Sequence, residues 1–286
     1  MALPPFEYLE PDTLGEAVEQ LRTHGEDARV IAGGTALVLM LRYRLVRPAV
    51  LISLAGIPEL NGIWGNGEIR IGAMTTHREV ERSPLVMHSA TLLGQAASRV
   101  GSPAIRNMGT LGGNLASGEA ASDPAPPLLA LNARVTLTGP QGERTVPLDG
   151  FFKDFYETDI RPGEILTAVH VPPMPPTTRS TYIKYTCLSE EDRALVSVAA
   201  LVLPGPDQTC ADVRIALGGV ARIPLRARAA EEVLRGQLPT PAKIAEAAEA
   251  AAAATDPLSD RQGSAEYRRD MTRLWVARAL ERLTHV

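Results

Sequence analysis

Hydrophobic positions recur along this chain with two different periods, and the change from one to the other divides it. The first part mixes short apolar runs with helical spacing. Phe6-Glu7-Tyr8-Leu9 reads as a strand. Leu14, Ala17, Val18 and Leu21 then share one helical face, with Asp12 as N-cap and Gly25 as stop. Arg29–Ala32 predicts a second strand ending in Gly33-Gly34-Thr35, followed by a helix from Ala36 to about Tyr43 and a strand at Val50–Ser53. The pattern is a β-α-β-α-β unit. Ile69, Ile71 and Ala73 alternate as in a strand, and Thr76 with Glu79 has the spacing of a capping box. Residues 90–100 read as helix, and a glycine-rich stretch runs from Gly101 to Gly118.

From about residue 134 the period shortens. Strands are predicted at Arg134–Thr138, Arg144–Val146, Ile165–Val171, Thr181–Thr186, Leu195–Leu203 and Val213–Leu217, separated by Gly and Pro turns. Pro172-Pro173-Met174-Pro175-Pro176 forms a stiff connection. The end of the chain turns helical again. Residues 242–254 hold nine alanines after a capping Thr240, and Tyr267, Met271, Leu274 and Trp275 are expected to pack a final helix into the core.

Composition narrows the chemistry. A chain of 286 residues is long enough for about two domains. With 29 basic and 33 acidic residues, a net charge of −4 and no basic block, it is a poor nucleic-acid binder. No apolar run suits a membrane span, and the stretch from Met1 to Glu7 lacks the features of a signal peptide, so a cytoplasmic location is expected. Cys187 and Cys210 are the only cysteines, too few for a structural zinc or iron–sulfur site, and are expected as free thiols. His24, His77, His88, His170 and His285 include no i,i+4 pair. No metal site and no catalytic acid–base constellation is expected. Any chemistry would come from an organic cofactor held by backbone. His77, at the start of a helix, is expected to be structural.

Three glycine doublets stand out: Gly33-Gly34, Gly112-Gly113 and Gly218-Gly219. The first two each carry a threonine (Thr35, Thr110), and the second is followed by Asn114. Glycine lets backbone N–H groups approach an anion, and the two motifs suit a diphosphate gripped from both sides by neutral donors. Ser122-Asp123-Pro124 reads as a helix N-cap with proline in the first turn.

These residues carry a resemblance. Arg29–Leu37 (RVIAGGTAL) and Asn107–Asn114 (NMGTLGGN) resemble the two flavin-binding signatures of the FAD (medium) subunit of molybdenum hydroxylases, the xanthine dehydrogenase and carbon monoxide dehydrogenase family. Ile71–His77, Arg161–Leu166, Leu217–Ala221 and Gly263–Arg269 are similar to further family segments, in the family's order. The resemblance implies an α+β fold: a vanillyl-alcohol-oxidase-like (PCMH-type) FAD domain at 1–175, with lobes at about 1–55 and 56–175, and a C-terminal domain of antiparallel strands and helices at 176–286.

The resemblance also implies site residues. Arg29, Val30, Ile31, Ala32, Gly33, Gly34, Thr35, Ala36 and Leu37 would wrap one side of the FAD, and Val100, Gly109, Thr110, Gly113, Asn114 and Ala116 the other. Ser122 and Asp123 would hold the flavin and its ribityl chain, Leu166 would contact the flavin, and Lys184 would approach its ring system. Otherwise Lys184 is an exposed strand lysine. Arg193 stands where many relatives carry an aromatic residue. The implied function is electron transfer from the [2Fe–2S] clusters of a small subunit, fed by a large molybdopterin subunit, to NAD, a quinone or O₂. The implied assembly is a dimer of heterotrimers, cytoplasmic or held at the inner membrane face through the complex. The rival readings are a stand-alone flavin oxidoreductase and a flavin-free scaffold subunit.

Overall fold

In the first lobe, β1 (Glu7–Leu9), α1 (Leu14–His24), β2 (Ala28–Ile31), α2 (Leu37–Arg42) and β3 (Val50–Ser53) make a parallel sheet of order β1-β3-β2. The central strand β3 is buried at every position, as a strand covered on both faces must be. Residues 3–284 are described by this computed structural model; Met1, Ala2 and His285, on which parts of the N-terminal and histidine readings fall, lie outside the described residues. The N-cap of α1 is Thr13 rather than Asp12. The Thr13 hydroxyl accepts from the Glu16 N–H (3.2 Å), while the Asp12 N–H donates to the Glu16 carboxylate (3.0 Å).

The second lobe is built on an antiparallel sheet of order β4-β5-β10-β6-β7, formed by β4 (Ile63–Asn66), β5 (Glu68–Gly72), β6 (Arg134–Gly139), β7 (Gly142–Pro147) and β10 (Ile165–Val171). A small hairpin of β8 (Phe152–Asp154) and β9 (Glu157–Thr158) precedes β10. Six short helices pack around this sheet: α3 (His77–Arg82), α4 (Pro84–Ser89), α5 (Thr91–Ala97), α6 (Pro103–Met108), α7 (Leu111–Ala116) and α8 (Ala125–Ala130). The Thr76–Glu79 capping box starts α3. The glycine-rich stretch is not all loop. Ser102 caps α6, with Pro103 in its first turn, and Thr110 caps α7.

The C-terminal part contains β11 (Arg179–Tyr185), β12 (Val196–Pro204), β13 (Cys210–Gly218) and β14 (Leu225–Arg226), antiparallel and in chain order, with α9 (Arg228–Leu234), α10 (Pro241–Ala253) and α11 (Ala265–Thr284). This sheet is apolar on both faces. Tyr182, Ala199, Leu201 and Ala216 join the core of the second lobe. Their strand neighbours Ile183, Val198, Ala200 and Ile215 face Ile244, Ala247, Val276 and Leu280 of α10 and α11. The long apolar run of β12 therefore reflects burial on two sides.

The final helix packs only partly as expected. Met271 and Trp275 lie half-buried against the core, Tyr267 and Leu274 are exposed, and the buried stripe is Arg268, Thr272, Val276, Ala279, Leu280 and Leu283. Two polar residues on that stripe disguised it. Arg268 Nη1 donates to the carbonyls of Leu195 and Gly219 (2.8 Å each) and Nη2 to Asp260 (2.8 Å), and Thr272 bonds back to the Arg268 carbonyl. Both terminal nitrogens are thus engaged, which offsets much of the cost of burying the guanidinium, while its Nε stays buried without a partner.

A second buried charge joins α9 to the sheet. Arg226 makes a two-pronged pair with Glu231 (2.6 and 2.7 Å), with side-chain exposures of 5% and 1%, and Glu231 also accepts from the Ile215 N–H (2.9 Å). Removing one partner strands the other. Arg226→Met is expected to cost about 3–5 kcal/mol in urea unfolding, and Arg226→Met with Glu231→Gln to recover part of it, because glutamine still accepts from Ile215.

Candidate functional site

A cavity of about 600 Å³ opens between the first lobe and the helices α6 and α7 of the second. Its geometry starts from one contact. A Cβ on Gly33 would sit 1.8 Å from the Met108 carbonyl oxygen, so the first glycine motif lies bare against the C-terminal end of α6. Gly34 follows with φ +70°, a left-handed conformation that favours glycine and turns the chain into α2. The second motif is held by backbone pairing. Leu111 N–H donates to the Thr75 carbonyl (2.9 Å), Gly112 N–H to Ala73 (2.9 Å), and His77 N–H to Gly109 (3.0 Å). Gly112 and Gly113 lie in the first turn of α7 instead of a strand-to-helix loop, and the Thr110 hydroxyl accepts from the Gly113 N–H (3.2 Å).

Most residues expected at the site line this cavity: Arg29, Val30 and Ala32 through Leu37 from one side, and Val100, Thr110, Gly113, Asn114, Ala116 and Leu166 from the other. Ile31, Gly109, Ser122, Asp123 and Lys184 are not in its wall. Ser122 and Asp123 do not cap α8, whose first residue follows Pro124 without a side-chain cap. Each has found a stronger partner. The Ser122 hydroxyl donates to Asn114 Oδ1 (2.5 Å), which commits the amide carbonyl and leaves the Asn114 NH₂ to donate elsewhere. Asp123 accepts from the Tyr182 hydroxyl (2.6 Å) and from Lys184 (2.9 Å), which also donates to the Arg99 carbonyl (2.8 Å). Lys184 is thus a buried partner, its side chain 1% exposed, and not an exposed strand lysine. Burial outweighs the nearby Lys184 charge and raises the Asp123 carboxyl above the usual range, and burial raises the Tyr182 phenol well above its own.

Several wall residues carried no sequence signal of a site role. Met40, Leu54 and Ile160 supply apolar wall. Glu164 is held below the usual carboxylate range by its hydrogen bonds from Arg144 (2.7 Å). Tyr156 also lines the cavity, at φ +55°. Its hydroxyl donates to Glu119 (2.8 Å), which pairs with Arg193 (2.8 Å), so the arginine at the unusual position braces this wall from the C-terminal sheet's side. His77 lines the cavity as well, buried, beside Gly109.

A model of the FAD binding domain in molybdopterin dehydrogenase matches residues 4–174, and one of the CO dehydrogenase flavoprotein C-terminal domain matches residues 181–283. This chain belongs to the FAD-binding flavoprotein family of the molybdopterin dehydrogenases. It is 37% identical over 281 residues to the carbon monoxide dehydrogenase medium chain of Hydrogenophaga pseudoflava, covering 98% of this chain and 97% of that protein. It is 36% identical to the nicotine 6-hydroxylase medium subunit of Paenarthrobacter nicotinovorans, covering 98% of each. The solved carbon monoxide dehydrogenase from Hydrogenophaga pseudoflava, in a form lacking the Mo-pyranopterin moiety, matches with a TM-score of 0.96 and 38% identity over 99% of this chain and 98% of that one. The molybdopterin dehydrogenase flavoproteins are oxidoreductase subunits, and the expected α+β fold is the one found.

The residues present suit FAD. The cavity volume is within the range of cofactor pockets. Thr35, Thr110 and Asn114 place neutral donors on both sides, and Leu37, Leu54 and Leu166 add apolar wall for a ring system. Among the described residues no cluster of three or more His, Cys, Asp or Glu side chains is placed to hold a metal ion.

Two substitutions and a change of pH test this geometry, one substitution at the site and one away from it. Gly33→Ala drives a methyl into the Met108 carbonyl and is expected to lose flavin and about 1–3 kcal/mol of stability. Gly15→Ala in α1, with open space around it, is expected to stabilise by up to about 1 kcal/mol. Flavin absorbance and urea unfolding read both. Acid affects His77, which burial, helped by Arg106, lowers to a pKa of about 4 from an ordinary 6.5. Between those values the unfolded chain binds the extra proton, so stability rises with pH and is lost on acidification. Urea unfolding of the cofactor-free chain at pH 7 and pH 4 should show a loss of about 3 kcal/mol from this group that His77→Gln removes.

Proposed function

We propose that this chain holds FAD in the cavity between the two glycine motifs and acts as the electron-transfer subunit of a molybdopterin-dependent hydroxylase or dehydrogenase. The observation that carries the reading is the convergence of Ala32–Leu37 and Thr110–Asn114 on one cavity through the Gly33–Met108 contact. FAD would supply two-electron storage with one-electron exchange. The chain's own part is positional. Arg29 through Leu37, Ile31 included, and Val100, Gly109, Thr110, Gly113, Asn114 and Ala116 form the two sides of the grip. Leu166 adds apolar wall. Ser122, Asp123 and Lys184 act from behind, Ser122 by orienting the Asn114 amide. No side chain is assigned as a general acid or base.

Electrons would enter from the [2Fe–2S] clusters of a small subunit, supplied by a large molybdopterin subunit. They would leave to an external acceptor: NAD, a quinone or O₂. The words medium chain and medium subunit in the relatives' names support such partners. Relatives of near-equal similarity are named for carbon monoxide and for nicotine, which favours a substrate pocket outside this chain. The proposed assembly is a dimer of heterotrimers in the cytoplasm, touching the membrane's inner face only through the complex. Among the described residues no helix is long and apolar enough to cross a membrane. Residues 1–175 would be the cofactor-holding unit, in lobes of about 1–55 and 56–175, and 176–286 the unit that closes its core.

Absorption spectra of the purified chain, alone and co-expressed with its partners, test this. Flavin bands near one per chain are expected, with iron–sulfur absorption only when the small subunit co-purifies. A chain that stays colourless after incubation with FAD overturns the cofactor assignment and leaves a scaffold role.

A further inference from the structure

Thr35 of the first motif, Gly109 of the second and His77 at the start of α3 meet at one point. A Cβ on Gly109 would lie 3.1 Å from His77 Cδ2 and 3.4 Å from Thr35 Oγ1. Because Gly109 has no Cβ, a notch remains between the motifs with the imidazole at its side. The ring is nearly closed off, at 2% exposure, yet it forms part of the cavity wall. Its Nδ1 is sealed inside the protein with no hydrogen-bond partner. Of the two ring nitrogens, Nε2 is therefore the one left to meet the cavity.

That arrangement selects a tautomer. A buried N–H without an acceptor is rarer and costlier than an unshared lone pair, so the proton belongs on Nε2 and the bare lone pair on Nδ1. A second proton, on Nδ1, would put an unpaired N–H and a positive charge in the interior. Burial opposes this, as does the nearby charge of Arg106, itself paired with Glu81 at 3.1 Å. The ring is thus a fixed, neutral, single donor. One terminal nitrogen of Arg29, Nη1, is held by the carbonyls of Glu26 (3.1 Å) and Ala28 (2.8 Å), which ties that guanidinium to its own strand.

We propose that His77 is a cofactor-binding residue whose Nε2–H donates a hydrogen bond to a phosphoryl oxygen of the FAD diphosphate, in the notch between the two glycine motifs. This rests on the FAD reading above. It extends the grip to a side chain that is neither in a glycine motif nor charged.

The test uses the full chain, stripped of flavin and titrated with FAD. Glutamine places an N–H near the position of Nε2, whereas asparagine places one near Nδ1. His77→Gln is expected to bind FAD within a few-fold of the wild type. His77→Asn and His77→Leu are expected to bind about ten- to hundredfold more weakly, the range for one hydrogen bond to a charged acceptor. Nitrogen NMR of the wild-type imidazole should show the Nε2–H form before FAD is added and a shifted Nε2–H signal after; this reading does not depend on the variants folding. The phosphorus signals of bound FAD should differ between wild type and His77→Asn. Equal FAD affinity in all three variants, rescue by asparagine as good as by glutamine, or an unshifted imidazole signal overturns the inference. Changed flavin absorption in His77→Asn with unchanged phosphorus signals overturns the diphosphate contact. A wild-type chain that takes up no FAD overturns instead the reading on which the inference rests.

Discussion

The approach of the Gly33 backbone to the Met108 carbonyl oxygen sets the dimensions of the site. It brings the end of a parallel β-α unit against the end of α6 in a different lobe, at a separation only a bare Cα permits. The flanking residues inherit their positions from that contact. Thr110 caps α7 immediately after it, the 73–77 segment pairs with 109–112 beside it, and His77 is thereby turned toward the first motif. One absent methyl thus positions donors from three separate segments around a common space.

Much of the fold was legible because local chemistry and burial agreed. The parallel unit of β1, β2 and β3 and the long strands β10 and β12 follow from apolar runs bounded by turn residues. The Thr76–Glu79 box formed as its spacing implies. The misreadings have local causes. Helices α6 and α7 are hidden by glycine, and only their Ser and Thr caps betray them. The α11 register was hidden because Arg268 and Thr272 occupy its buried stripe. At the site, the glycine motifs were visible as motifs. Tyr156 was not, since a residue in a short hairpin reaches the cavity only through tertiary placement. Asp123 read as a cap or a flavin contact, and Lys184 as a flavin contact or a surface lysine, because a sequence does not show that two charges 61 positions apart will pair with each other.

The buried charges share a location. Asp123–Lys184 joins the second lobe to β11, Arg226–Glu231 joins β14 to α9, and Arg268 ties α11 to the ends of β12 and β13. Each is paired with an opposite charge and sits at a seam between elements. A greasy seam tolerates sliding; a two-pronged ion pair fits in one register only. Their contribution here is to alignment more than to net stability.

The two-faced C-terminal sheet also bears on how the chain is made. One continuous core gathers residues from Ile69 to Ala216. A ribosome must release β12 and β13 before that core can close, so the second lobe is synthesised with an apolar surface still uncovered, while the first lobe has a core of its own. Domains that finish early fold as they emerge; the second lobe has to wait for the C-terminal sheet. Because the cavity wall includes residues of that second lobe, its final shape also waits on strands that come much later in the chain.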